Sequence, residues 1–416
     1  MNTRESIPDT SNAEASHAGA SNARASDSAQ TVEQFSRGTR FRVEPERIER
    51  ALASLWQAAR TEDHRQSVTR ACLWNLIIHI EEREGREGFG GCEALNAMIP
   101  MLPRFIASRT LIVRTKDGAQ PGEEDLETFI SANCVLGPDG KKQVCSEEIT
   151  IVARSLGDRH VPALVRALIV PSIPSALVVA GLPPEGEPMI AGLVHTLDRV
   201  LIDLNASDSL SPLGRTMALM DALPAGLTDL GWIEDAPMRR AVATLFDDQN
   251  IARRLNSVRE IRYTTSRGRQ RSAHLFIAWI AGCLSTRPIA RRSPNHWTID
   301  ATRAQNAGVE VEIELRLELS GPERTEAEDV LEFIDVKGHR LGLITRSDGN
   351  ISITAHVNPD SDSDSDSDSD KGATMGRKTR QRTQVRPSTA RDIAAGLSSR
   401  ADDDFLRRAL FIARGM

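Results

Sequence analysis

Cys134 and Cys145 are the two residues whose spacing speaks most directly of chemistry. They flank Gly137-Pro138-Asp139-Gly140, a strong turn signal between the strand-like runs Phe129–Leu136 and Lys142–Val152. If Asp139-Gly140 forms a two-residue hairpin loop, Pro138 pairs with Lys141, and counting outward sets Cys134 opposite Cys145. Opposed residues in an antiparallel pair have Cα atoms roughly 4.5–5.5 Å apart, within reach of a disulfide. Alternation from that turn makes them a hydrogen-bonded pair, the less comfortable geometry for a bridge. A bridge there would be strained and easily reduced, a switch rather than a staple. The alternative is two buried, reduced thiols. Five cysteines, odd in number and without a CxxC, fit a reducing compartment.

Elsewhere the residues that could do chemistry do not converge. Gly85 to Gly91, GREGFGG, comes nearest to a dinucleotide fingerprint, but its spacing is wrong and it does not open a helix directly after a strand. It reads as a loop. No Walker A, GxSxG or HExxH sequence occurs. Nine histidines are scattered. His79 falls in an apolar run, and His160 and His195 lie near helix ends; such lone histidines are ordinarily core or capping residues rather than ligands. The alternating Asp-Ser run from Asp360 to Asp370 invites a calcium reading. It lacks the glycine turn and bidentate glutamate of cation loops, and reads as a solvated spacer. The expectation is therefore no catalytic residue, no metal and no cofactor.

Two charged groups need an account. Arg253, Arg254, Arg259, Arg262, Arg267, Arg269 and Arg271 crowd one segment with few apolar residues. They read as a solvated linker, as a surface for an acidic partner or phosphate, or as a nucleic-acid patch. Aromatics at 4% and a net charge of −6 argue against the last. Glu310, Glu312, Glu314 and Glu318 share the outer face of Val309–Leu319, whose apolar residues alternate without a miss. Like charges two apart repel, so Arg340 and Arg346 on a nearby strand, or a partner's basic face, should offset them.

The elements that would position these residues fall into an expected order. Residues 1–42 are polar with almost no apolar anchors and read as a disordered tail. An α/β domain with a mixed sheet follows over 43–250. It opens with a helix from Pro45 and continues with strands at Cys72–Ile80 and Thr110–Arg114 and the cysteine hairpin. Helices are expected at Glu93–Met101, Leu164–Ile169, Leu213–Leu223 and Met238–Phe246. Strands Ala176–Ala180 and Val200–Leu204 enclose a helix at Pro188–Leu197, a βαβ unit. Residues 251–357 form a smaller α+β domain: an apolar helix at Ala273–Leu284, then an antiparallel sheet from Val309–Leu319, Val330–Val336, Arg340–Arg346 and Asn350–Val357. Residues 358–400, the Asp-Ser run and the basic stretch after it, read as a disordered linker. Residues 401–416 carry an amphipathic helix with the stripe Phe405, Leu406, Ala409, Leu410 and Ile412, which must dock on something. No apolar secretory leader and no 18-residue apolar window occur, so a soluble, cytoplasmic protein with no membrane partner is expected.

Several phrases recur in a recognisable order. They are Thr69-Arg70 before Asn75-Leu76-Ile77; Ser108-Arg109-Thr110-Leu111; Cys134 with Gln143-Val144-Cys145-Ser146-Glu147; and His160-Val161-Pro162 before Pro171-Ser172-Ile173-Pro174. Gly181-Leu182-Pro183-Pro184, then Asp198 to Asp203, Asp229-Leu230-Gly231-Trp232, Met238-Arg239 and Leu245-Phe246-Asp247 complete the series. This order resembles the OpcA family of glucose-6-phosphate dehydrogenase assembly proteins. Ala107 stands where the family's Pro-Ser-Arg phrase has proline, and Ala176-Leu177-Val178-Val179 replaces its aromatic-rich strand.

The resemblance implies a non-enzymatic protein that binds glucose-6-phosphate dehydrogenase and promotes its active oligomer or raises its substrate affinity. It also implies, from some photosynthetic members, that cysteine redox state tunes the effect. Cys134 and Cys145 are the candidate redox pair. Arg109, Arg199, Asp203 and Trp232 are the candidate partner or phosphate contacts. A competing reading is an enzyme or sensor that binds a sugar phosphate at the ends of Ala176–Ala180 and Val200–Leu204, with Arg109 and Arg199. Nucleic-acid binding through the arginine segment and the 371–391 tail is a third, and predicts steep salt dependence.

Overall fold

The computed structural model describes residues 39–62, 67–82, 91–116, 118, 124–136, 142–154, 160–180, 188–206, 212–284, 289–302, 310–320, 329–347, 350–356, 383–384, 389–398, 403–414 and 416. Residues 1–38 of the expected tail, the Asp-Ser run, the Gly137–Gly140 turn and the basic residues from Lys371 to Arg382 lie outside them; Phe41 and Arg42, which composition assigns to the disordered tail, instead form a short strand paired with Ile130 and Phe129.

In chain order the elements are β1 (Phe41–Arg42), α1 (Ile48–Glu62), β2 (Ser67–Arg70), β3 (Trp74–Glu82), α2 (Gly91–Met98), β4 (Ser108–Lys116), β5 (Leu126–Leu136) and β6 (Lys142–Arg154). There follow α3 (Val161–Leu168), β7 (Ser175–Ala180), α4 (Pro188–Leu193), β8 (Arg199–Asp203), α5 (Pro212–Ala222), β9 (Gly226–Asp229), α6 (Leu230–Glu234), α7 (Ala236–Asp247) and α8 (Gln249–Arg254). The remainder comprises β10 (Val258–Ser266), α9 (Gln270–Leu284), β11 (Ala290–Ser293), β12 (His296–Thr302), β13 (Glu310–Ser320), β14 (Asp329–Asp335), β15 (Arg340–Ser347), β16 (Asn350–Ala355), β17 (Thr383–Gln384), α10 (Thr389–Ser398) and α11 (Asp404–Ala413).

Two compact units share the chain. The first takes the described residues of Met1–Glu84, Pro100–Ala176 and Pro188–Leu193; the second takes those of Gly85–Ile99, Leu177–Glu187 and Val194–Met416. In the first, strands run in the order β1-β5-β6-β4-β3, with β2 also on β6. The β3, β4 and β2 pairings are parallel, and β5 is antiparallel to β6 and to β1. This sheet is mixed, as expected. Asn75 to Ile80 are all buried, so β3 carries apolar residues on both faces, the usual composition of an interior parallel strand. Ile48, Leu52 and Trp56 of α1 are buried in the same core. Apart from His79, Asn75 is the polar exception. Its amide donates to Val170 O at 3.0 Å and Ser175 Oγ at 3.1 Å and accepts from Val170 N at 3.0 Å, clasping the Pro171–Pro174 turn.

In the second unit β8 and β9 are parallel. A second sheet there runs β11-β12-β13-β10-β14-β15-β16-β17. Its β10–β13 pairing is parallel and its other pairings antiparallel, so it is mixed rather than the antiparallel sheet expected. The source of the difference is β10, in the arginine segment that reads as a linker. A register shift between Val258 and Glu260 breaks its alternation, and only Val258, Ile261, Tyr263 and Thr265 turn inward. Tyr263, Phe276, Trp297 and Phe333 lie in the core with α7 and α9 residues. The linker expectation fails again at α10, where Ala390, Ile393 and Leu397 are buried.

The sheet's other face carries charge. Arg292 pairs with Glu312, Arg316 with Glu314 and Glu260, and Arg262 with Glu260, Glu318 and Glu332. The acidic row is therefore offset by Arg262, Arg292 and Arg316. Arg340 instead pairs with Glu332, and Arg346 is buried.

Candidate functional site

The structure pairs Cys134 with Cys145 across β5 and β6 and joins them in a disulfide, with Cα atoms 4.0 Å apart. One detail of the hairpin reading is corrected. The Cys145 carbonyl accepts from Ala71 N, at 3.1 Å, on the side of β6 away from β5. The amide and carbonyl of one strand residue point the same way, so Cys134 and Cys145 form a non-hydrogen-bonded pair. That is the pairing in which opposed side chains lie closest.

Two residues along the same side of β6 sits Glu147, a buried carboxylate. It accepts from Arg109 Nε at 2.9 Å, Trp56 Nε1 at 2.6 Å and Arg70 Nη2 at 3.1 Å. Arg109 also donates to Leu168 O at 2.8 Å and to Glu49 at 2.5 Å. Burial alone would lower the guanidinium's pKa, but Glu49 and Glu147 outweigh it and hold the value above the ordinary one. Cys72, a free thiol nearby, is pushed up chiefly by burial, with Glu147 adding to the rise.

The second unit has its own buried cluster. Asp329 accepts from Thr265 Oγ1 at 2.5 Å and Arg346 Nε at 2.6 Å. Asp235 accepts from Arg346 Nη2 at 2.9 Å and Arg269 Nη2 at 2.5 Å. Burial, then Asp235 and Asp329, keeps the adjoining Tyr263 hydroxyl far above its usual range. Among the described residues Asp235 Oδ2 has no hydrogen-bond partner.

Trp232 and Asp203 belong to a third group, at the ends of β8 and β9. Asp229 caps α6, accepting from Trp232 N at 2.7 Å and Leu204 N at 2.9 Å. Burial, then the neighbouring Asp203, pushes its carboxyl up to about 7. Asp203 accepts from Asn205 N at 3.0 Å, and Asn205 in turn accepts from Ser272 N at the start of α9. Gly231 is required here, because a Cβ would stand 2.1 Å from Ser272 Oγ. The Trp232 ring lies 3.6 Å from the Arg239 guanidinium, and its indole N–H donates to Asp403 Oδ2 at 2.7 Å. Asp403 is the N-cap of α11, so Trp232 anchors the C-terminal helix to its own unit.

Of the candidate contacts, Arg109, Arg199 and Trp232 are therefore buried, and only Asp203 is half-exposed. A partner or phosphate contact needs an accessible group, and the donors of Arg109 and Trp232 are already engaged within the fold. As buried charges Glu147, Asp235 and Asp329 escaped the sequence reading, and Arg346 entered it only as a surface partner of the acidic row. The signal was present: Glu147 falls in phase with the inward residues Cys145, Ile149 and Ile151, and Arg346 with Ile344. A charge at an inward position marks a buried ion pair. Among the described residues no group of three His, Cys, Asp or Glu side chains is placed to hold a metal ion.

Two family models match. The one described as the glucose-6-phosphate dehydrogenase subunit N-terminal domain covers residues 102–217, and the one described as its C-terminal domain covers 225–410. Between them they span well over half of the chain. The chain belongs to the OpcA family. A Synechocystis sp. (strain ATCC 27184 / PCC 6803 / Kazusa) protein named OpcA, and assigned by its description to the OxPP cycle, is 19% identical over 169 residues. That alignment covers 40% of this chain and 36% of the relative, so the chain matches about a third of the relative's length. Similar solved structures include a dehydrogenase from Chromobacterium violaceum (12% identity, TM-score 0.39, 82% of this chain and 93% of that one). Another is an oxidoreductase from Sinorhizobium meliloti (8% identity, TM-score 0.40, 83% and 96%). At such TM-scores the likeness carries no argument. No described helix is long and apolar enough to cross a membrane.

Proposed function

We propose that this OpcA-family chain is a non-enzymatic, cytoplasmic assembly factor and allosteric activator of glucose-6-phosphate dehydrogenase in the oxidative pentose phosphate pathway. The observation that carries the reading is the match of both glucose-6-phosphate dehydrogenase subunit domains, in order along one chain. The buried carboxylates Glu147, Asp229 and Asp329 are consistent with it, being engaged by arginines or backbone N–H groups within the fold. A protein that binds the active form of an enzyme better than the inactive form shifts the population toward the active form. In this reading the Cys134–Cys145 disulfide is the redox lever on that shift.

The test is to mix the purified chain with the glucose-6-phosphate dehydrogenase of the same source. Sedimentation and steady-state kinetics should show a complex of higher mass and a lower KM or higher kcat, differing between oxidised and reduced protein. No complex, together with unchanged kinetics, would sink the proposal.

A further inference from the structure

The Cys134–Cys145 bridge stands at the base of a peninsula of the first unit's sheet. β4 borders β6 from Glu147 to Arg154. Nearer the turn, Lys142 to Cys145 are bordered instead by β2, through Ser67 to Arg70. Among the described residues β2 pairs with no other strand. On the opposite edge of β6, only two registered pairs join it to β5 beyond the bridge, Val144 with Val135 and Gln143 with Leu136. Every partner of β2 is therefore Cys145 or a residue between it and the turn. Two further bonds fasten β2: Ala71 N donates to Cys145 O at 3.1 Å, and Arg70 Nη2 to Glu147 at 3.1 Å. The next anchor along the chain, Leu73 N to Ala107 O at 2.8 Å, already leads into β3.

We infer that the bridge is the clasp of this peninsula, so that reduction releases β2 together with the hairpin tip and oxidation fastens both again. Its effect on the dehydrogenase rests on the assembly role proposed for the chain; the release itself does not. A dithiol reductant carries the step. One of its thiolates attacks a bridge sulfur, the Cys134–Cys145 bond breaks, and a mixed disulfide forms. Its second thiol then displaces the remaining cysteine. Two electrons and two protons pass to Cys134 and Cys145, and the reductant leaves as a disulfide. A ladder of two pairs beyond the bridge must then hold the tip and β2 against the conformational entropy of both. The rest of the sheet resists the opening. Arg70 is already 39% exposed, and Glu147 keeps Arg109 and Trp56 when it leaves. The release is therefore local and stops where β4 begins.

Hydrogen exchange of the full chain, in its disulfide and dithiol-reduced forms, reads the release directly. Amides of residues 67–73 and 142–145 should exchange about 30-fold faster after reduction, and those of 108–116 and 147–154 should change little. Cys72, a half-buried thiol that donates to Trp74 O at 3.7 Å, should take maleimide several-fold faster. Labelling of the exposed Cys283, in the second unit, should stay constant. The Cys134→Ser/Cys145→Ser variant should match the reduced wild type with or without the dithiol. Titrated into the dehydrogenase of the same source, that variant and the disulfide form should differ about 10-fold in affinity. Equal protection of residues 67–73 in both redox forms, or a loss spread evenly over β3, β4 and β6, overturns the clasp. Redox-dependent affinity without release of β2 overturns the clasp and leaves the assembly role standing. Release of β2 with no dehydrogenase binding in either form supports the clasp and overturns the assembly role.

Discussion

In the first unit one buried carboxylate, Glu147, serves Arg109, Arg70 and the Trp56 indole; in the second, two carboxylates, Asp235 and Asp329, share Arg346 and Arg269. The first cluster is graded. Its outer members Glu49 and Arg70 have side chains 55% and 39% exposed, so charge runs from the core to solvent through Arg109. The second is more closed, reaching towards solvent only through Arg269 and its partner Glu234, whose side chain is 29% exposed. Both aspartates are 2% exposed, and Arg346 reaches both at once. Redundancy differs accordingly. Without Arg109, Glu147 keeps Arg70 and Trp56. Without Arg346, Asp329 keeps Thr265 and an Arg269 nitrogen at 3.5 Å.

The largest effect should follow from that difference. Arg346→Ala leaves buried negative charge under-compensated and should cost about 3–5 kcal/mol, whereas Arg109→Ala should cost less because Glu147 retains partners. Thermal melts of the two variants, with hydrogen exchange to assign the loss to a unit, check the order. An equal or larger loss in Arg109→Ala would break the contrast between the graded and the more closed cluster.

Reducing the Cys134–Cys145 bridge comes next. The bond closes a loop of sequence separation 11, for which chain entropy gives about 2–3 kcal/mol. The loss should appear in the first unit, and Trp56, bonded to Glu147 on the same face of β6 as Cys145, should report it by fluorescence. Exchange protection lost in second-unit peptides instead would place the bridge's influence elsewhere.

Two acids of the second unit add a pH dependence. Burial, then Asp203, raises Asp229 to about 7, and burial, then Glu234, raises Asp392 to about 7. Between about pH 4 and pH 7 the folded chain holds protons that the unfolded chain has released. Stability therefore falls as pH rises through that window and levels off above it, by at most about 1.4 kcal/mol per pH unit for each group. Asp229→Asn, which keeps an accepting oxygen at the cap, should flatten the slope. An unchanged slope in denaturant titrations at pH 4.5, 5.5 and 6.5 would remove Asp229 as its source.

The sequence was legible where one local rule decides the outcome. The alternation of β13, the apolar run of β3 and the paired runs around the cysteines all appear as read. It was illegible where partners distant in sequence decide. Arg262 lies in a segment that composition assigns to solvent, yet it sits in β10 beside Glu260, Glu318 and Glu332. The hydrogen-bonding parity of the cysteine pair could not be counted from the turn alone, because β2 takes the Cys145 carbonyl. Trp232 reads as a surface contact until Asp403, 171 residues on, is seen to receive its indole N–H.

The smallest effect should come from the charged face of the second sheet. Arg292 and Glu312 lie 2.5 Å apart, as close as Arg269 and Asp235, but both side chains are more than half exposed. The hydrogen bond from Arg292 holds the Glu312 carboxyl below its ordinary pKa, yet water offers the separated ions nearly as much. Glu312→Gln should therefore melt with the wild type at low and high salt, in the same unit where Arg346→Ala melts far below it. A clear loss at low salt that vanishes at high salt would mean that the ladder acts as a network, so that burial alone would no longer separate the inner charges from the outer ones.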